Sequence, residues 1–341
     1  MFALYEAGLP TELDPETLAT VGETDLNGAV KGFFSAHFHA VPSRRALYNF
    51  SIKRGRQNML HLYELPTGGA LRCIGSLPLP RSSAMVHDFI ATEKHLVFFI
   101  PPVRMRILPV LLGTKAPLDA LEWRPQDGTT VLVVPIDSPH QARRFEVDAF
   151  FQYHFMNAYE SAGTIVVDFV RVADFGKAFA SHTTEQRAHK TATEGRLFRA
   201  IVQPERGSVE LEQRAQVPCE FPQVAPSVQG RQHRFGYVLA AREGEPQTRV
   251  AKIEVATGHI ESTDVGEHCF PSEPVFVPRE GAESEDDGYL LTLAYDAEAD
   301  RSYVAVLDAR QLDRGPLARA TFDHHVPRPL HGTWHGGPQP I

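Results

Sequence analysis

Six times along this chain an extended run leads into a polar turn and out into a second extended run. That recurrence limits the fold more than any other feature. The turns begin near Asp14 (L-D-P-E-T-L), Pro66 (L-P-T-G-G-A-L), Asp137, Pro204 (Q-P-E-R-G-S-V), Ala256 (V-A-T-G-H-I) and Asp308 (L-D-A-R-Q-L), with gaps of 52, 71, 67, 52 and 52 residues. The runs around them are short and rich in β-branched and aromatic residues, as in Thr129–Ile136, Thr164–Val172, Leu197–Val202, Phe235–Leu239, Tyr289–Tyr295 and Tyr303–Leu307. Helical periodicity is scarce, and 26 prolines and 25 glycines punctuate the chain, which predicts an all-β protein. A period near the length of a four-stranded blade points to a β-propeller. Six unrelated hairpins in a β-sandwich are the competing reading.

Polar residues fall at a recurring distance after those turns. His37, His87, His154, Glu220, Glu273 and His331 follow them by 23, 21, 17, 16, 17 and 23 residues. In a propeller the outer hairpin of one blade leads to the innermost strand of the next, so a residue at this offset points toward the central axis. The histidines stand among apolar neighbours, in S-A-H-F-H, M-V-H-D-F, Y-H-F-M-N-A-Y and the C-terminal run F-D-H-H-V-P-R-P-L-H-G-T-W. An unpartnered imidazole is costly to bury in such surroundings. Four imidazoles suit a borderline divalent metal such as iron, zinc, copper or nickel. Glu220 (C-E-F-P) and Glu273 (S-E-P-V-F-V) lie in apolar, proline-flanked runs. Each either accepts the second N–H of a ligating imidazole or pairs with an arginine.

The remaining sequence excludes several classes. A formal charge of -8 with no Lys/Arg-rich run argues against nucleic acid. Cys73, Cys219 and Cys269 are isolated, which leaves neither a disulfide framework nor a paired-cysteine zinc site and suggests a reducing, cytoplasmic setting. Glu6, Glu12 and Asp14 occupy the place of a basic leader, and Leu96–Val103 is too short to span a bilayer. A soluble protein is expected. Ile107–Pro117, after Arg104 and Arg106, is either a patch that dips into lipid, for a peripheral membrane association, or a core strand with its turn. Ser181–Gly195, with His182 and His189, reads as an exposed loop, and Ala282–Gly288 as a solvated acidic turn without calcium-loop spacing. Dinucleotide, P-loop, nucleophile-elbow and H-E-x-x-H signatures are absent.

The segments S-A-H-F-H, M-V-H-D-F, Y-H-F-M-N-A-Y-E, E-F-P, E-P-V-F-V-P…E-D-D-G and L-H-G-T-W, in this order over nearly the whole chain, closely resemble the carotenoid cleavage oxygenases. That family includes stilbene-cleaving dioxygenases and the retinal-pigment-epithelium isomerase. The resemblance implies a seven-bladed β-propeller, one domain over residues 1–341, with one iron(II) per chain held by His37, His87, His154 and His331. It implies that Glu6, Glu220 and Glu273 orient three of those histidines, while His39, His324, His325 and His335 fall outside the ligand positions. It makes the chain a dioxygenase that splits a conjugated C=C bond of a carotenoid or apocarotenoid into carbonyls with O2. The rival readings are cleavage of a stilbene or phenylpropene, and a non-catalytic propeller fragment that only binds a ligand. No catalytic group beyond the metal centre is expected. Two departures stand out: Phe38 takes the place of the family's usual proline, and Met1 opens where family members carry roughly two more blades at ~50 residues each, so the N-terminal blade strands are expected to be missing.

Overall fold

The computed structural model describes residues 1–6, 8–79, 85–175, 195–327 and 329–334. The expected loop with His182 and His189 lies outside the described residues except at Gly195, and so does His335.

The fold is all-β, in antiparallel meanders whose strands pair in sequence order. Every run proposed above as a strand is one, within a residue or two of its expected ends. Contacts gather the described residues into two compact units: those within 1–153 with the 203–208 turn, and those within 154–202 and 209–334.

The first unit carries three sheets. A small one joins Phe2–Ala3, Thr11–Leu13 and Thr20–Glu23. In the next, Phe33–Phe34 and His39–Val41 both pair with Ala46–Lys53, followed by Met59–Pro66 and Arg72–Pro78. The third runs Ile90–Ala91, His95–Ile100, Thr129–Pro135 and Arg143–Val147, with a two-stranded ribbon, Val103–Met105 against Leu121–Trp123, between its inner strands. The second unit carries three more sheets. One orders Phe155–Ser161, Thr164–Arg171, Arg196–Gln203 and Ser208–Gln213, and the next Cys219–Gln223, Phe235–Ala241, Gln247–Glu254 and His259–Asp264. In the last, Cys269–Pro271 and Val275–Pro278 share Gly288–Asp296, followed by Arg301–Asp308 and Pro316–Thr321.

Each fuller sheet has the strand order of a propeller blade. Among the described residues there are six such sheets, where the resemblance implies seven, and the first has only three strands. The middle strands are buried on both faces, which is why they read as unbroken apolar runs. Leu96 to Ile100 are all 3% exposed or less. The outermost strands, Arg72–Pro78, Arg143–Val147 and Pro316–Thr321, are more exposed.

Two local expectations change. Ile107–Pro117 is no core strand: Ile107–Leu111 is a short helix that tolerates Pro109 in its first turn and stops at Gly113, whose φ is +67°. Its side chains face outward, with Leu108 at 67% and Leu111 at 77% exposed. The acidic turn is more than solvated. Glu285 accepts the backbone N–H groups of Arg234 and Phe235, Asp286 pairs with Lys252 at 2.7 Å, and Asp287 takes Arg279 and Arg310. The turn thus ties together the last two sheets of its unit.

Candidate metal centre

Five of the six polar residues that follow the turns sit at or just before a first strand, where it is broken or irregular. His37 lies in the gap between Phe33–Phe34 and His39–Val41, and His87 just before Ile90–Ala91. His154 directly precedes Phe155–Ser161, whose register shifts between Phe155 and Asn157. Glu220 stands at a register shift in Cys219–Gln223, and Glu273 in the gap between Cys269–Pro271 and Val275–Pro278. His331 lies in the coil beyond Pro316–Thr321. Such irregularities release a residue from the pleat and re-aim its side chain.

In the first unit the Nε2 atoms of His37 and His87 are 3.3 Å apart. The Nδ1 of His87 is 2.5 Å from Oε1 of Glu6. Nδ1 of His37 lies 3.9 Å from Oδ1 of Asp88, beyond hydrogen-bond range. Asp88, 2% exposed, instead takes Nε2 of His39 at 3.0 Å and the backbone N–H of Phe89 at 2.8 Å. The ring of Tyr153 stands edge-on to His87 at 5.3 Å.

In the second unit Nδ1 of His154 donates to Oε2 of Glu220 at 2.6 Å, and Nδ1 of His331 to Oε1 of Glu273 at 3.2 Å. The two Nε2 atoms are 3.2 Å apart. Both carboxylates are 6% exposed. Glu273 also accepts Gln223 Nε2 at 2.6 Å and the Gly332 N–H at 3.0 Å. The ring of Phe221 stacks on His154 with centroids 5.1 Å apart and meets His331 at 5.6 Å.

This donor set fits a metal ion. A neutral imidazole that gives its Nδ1–H to a carboxylate presents a bare lone pair at Nε2. In the second unit two such lone pairs face each other at 3.2 Å, an arrangement that repels unless a cation stands between them. Two nitrogens bound to one ion at ~2.1 Å subtend about a right to a tetrahedral angle when ~3.0–3.4 Å apart. Both pairs, at 3.2 and 3.3 Å, fall in that range.

Other candidates lie elsewhere. His324 is exposed and bonds its neighbour Asp323, His325 lies against the Tyr295 ring, and Cys219 and Cys269 are buried single thiols. Burial pushes the Cys219 thiol up to about 12, which removes it from thiolate chemistry. Spacing alone did not single out Phe221, Asp88 or Gln223. The only signal for Phe221 and Asp88 was adjacency to a site residue, in C-E-F-P and V-H-D-F.

Comparison with known proteins gives the family. A family profile described as retinal pigment epithelial membrane protein (RPE65) matches residues 1–336. The apocarotenoid-15,15'-oxygenase of Synechocystis is 31% identical, over 98% of this chain and 70% of that protein. The isoeugenol monooxygenase of Pseudomonas putida is 27% identical, over 98% of this chain and 72% of that protein. The crystal structure of cobalt-substituted Synechocystis ACO superposes with a TM-score of 0.89 at 31% identity, over 98% of this chain and 72% of that one. Blade-type sheets, paired histidines backed by carboxylates and a profile match along nearly the whole length lead to one assignment: the chain belongs to the retinal pigment epithelial membrane protein family, whose relatives include carotenoid and apocarotenoid oxygenases.

Proposed function

We propose that His37, His87, His154 and His331 together hold one iron(II) ion, in a single propeller domain over residues 1–341, and that the chain cleaves a conjugated C=C bond of a carotenoid or apocarotenoid with O2. The observation that carries this reading is the pairing of imidazoles through bare Nε2 atoms, three of the four backed at Nδ1 by a glutamate. The chain is an oxidoreductase of the carotenoid-oxygenase type. Bound iron(II) supplies activation of O2 toward an electron-rich alkene. One C=C bond and one O2 give two C=O groups, so the substrate's own double bond is the reductant and no nicotinamide is required.

The protein's part is orientation and charge. Four neutral imidazoles leave the full charge of the ion in place. Glu220 and Glu273 offset it by accepting Nδ1–H, which also fixes each ring's tautomer, and Glu6 offsets it by its place beside Nδ1 of His87. The apolar rings of Tyr153 and Phe221 beside the ligands favour a polyene over water. We further propose that the outward leucines of the 107–112 segment, preceded by Arg104 and Arg106, contact a lipid surface where apolar substrate resides. No described helix is long and apolar enough to cross a membrane.

A second reading, cleavage of a phenylpropene or stilbene, is favoured by the isoeugenol monooxygenase relative. Anaerobic purification with ferrous iron, elemental analysis and product chromatography after O2 addition test both. About one iron per chain and aldehyde products from an apocarotenal are expected. Products from isoeugenol or a stilbene alone would replace the substrate class. A folded chain that takes up no iron would overturn the enzyme reading in favour of a ligand-binding scaffold.

A further inference from the structure

Phe221 has a backbone that its strand does not explain. It follows Glu220 in Cys219–Gln223, where the pairing with Phe235–Ala241 slips, and its φ is +53°. A bulky residue with a β-carbon seldom adopts that left-handed conformation, and such exceptions persist where the surroundings enforce them. Core packing is not the reason, because the side chain is only half-buried. Two contacts account for it. The N–H of Phe221 donates to Oε2 of Glu220 at 2.5 Å, the same oxygen that accepts Nδ1–H of His154. Its ring lies nearly parallel to His154, at 28°, and steeply inclined to His331, at 63°, touching both imidazoles of the pair.

We propose that Phe221 is a positioning residue for a bound divalent metal, an inference that rests on the metal reading above. Its N–H holds the carboxylate that orients His154, and its left-handed φ turns the ring onto the imidazole pair. Its ring wedges the planes of His154 and His331 apart so that both Nε2 lone pairs converge. Any residue that tolerates positive φ could supply the N–H. Only an aromatic ring supplies the wedge.

The test uses the full chain, cobalt(II) as the probe, and three variants. Phe221→Asn suits the left-handed backbone and loses the ring, Phe221→Leu keeps bulk without a flat face, and Phe221→Tyr keeps the ring. Cobalt affinity and the visible ligand-field spectrum are measured, with far-ultraviolet circular dichroism to establish folding. The wild-type chain is expected to bind about one cobalt. The Asn and Leu variants should fold, bind it ~10-fold or more weakly, as losses of groups that orient ligands do, and show shifted bands. Phe221→Tyr should restore both readouts. Wild-type affinity and an unchanged spectrum in a folded Asn or Leu variant would overturn the positioning role while leaving the metal site intact. A wild-type chain that binds no cobalt would overturn the metal reading, and this inference with it.

Discussion

Nδ1 of His154 and Oε2 of Glu220 are 2.6 Å apart across 66 residues of chain, with both side chains exposed by a tenth or less. A carboxylate buried this deeply needs partners, and the imidazole N–H of His154 and the backbone N–H of Phe221 both supply them. Glu220→Gln removes the charge at constant shape. It is expected to weaken metal binding about 10–100-fold, as such partners typically do, measured by competition with a chromophoric chelator. Unchanged affinity would show that the carboxylate is not coupled to the ligand.

The three glutamates should not be equivalent. Glu273 accepts three donors and its side chain is 5% exposed, whereas that of Glu6 is 36% exposed. Glu273→Ala strands Gln223 and the Gly332 N–H and should cost at least about 1–3 kcal/mol of stability in urea unfolding. The Glu6 side chain is the more open to solvent, which screens its charge, so Glu6→Gln should weaken metal binding less than Glu220→Gln. The reverse order would contradict the burial argument.

His39 serves Asp88 and is no candidate ligand. His39→Ala should leave metal content per chain unchanged while lowering stability by about 1–3 kcal/mol, the cost of a buried acceptor losing its donor. Elemental analysis alongside denaturant unfolding separates this outcome from loss of a ligand.

His233 predicts an acid-sensitive fold. It is enclosed with Asp168 at 3.3 Å and Asn157 at 3.0 Å, with Arg199 and Glu285 the nearby charges, and burial holds its pKa below the ordinary value despite Asp168. The unfolded chain takes up the proton near pH 6.5, so stability falls as pH drops through that value, by at most ~1.4 kcal/mol per unit for one group. His61, also lowered by burial, adds in the same direction. Metal-free His233→Asn should lose less stability between pH 7 and 5 than metal-free wild type; equal slopes would exclude His233 as a source.

The outward face of the 107–112 segment gives a membrane test. Leu108→Glu with Leu111→Glu should abolish co-sedimentation with anionic vesicles and leave metal content intact. These side chains, at 67% and 77% exposed, support no core. Retained vesicle binding would locate any lipid contact elsewhere.

Much of the fold was legible because meander sheets are built from neighbours in sequence. Thr129–Ile136 and Tyr303–Leu307 could be recognised from β-branched and aromatic content. The six turns fell at the hairpins between the last two strands of each sheet. The recurring distance of 16 to 23 residues from turn to next sheet placed His37, His87, His154, Glu220 and Glu273 at or just before first strands. Glu6 obeys no such spacing, and only the family resemblance singled it out.

Spacing could not say which side chains meet. His154 and His331 approach across 177 residues, and Glu273 and His331 across 58, so those pairings exist only once the sheets pack. The tertiary structure alone decided that Ile107–Leu111 is an exposed helix, that the 282–288 turn is tied to Lys252 and Arg234, and that Phe221 holds a positive φ. Strand content and hairpin period follow from local steric preference and burial along a few residues, which the sequence carries by itself. A buried charge finds its partner, or a strained backbone its support, through groups distant in the chain, and packing determines which groups those are.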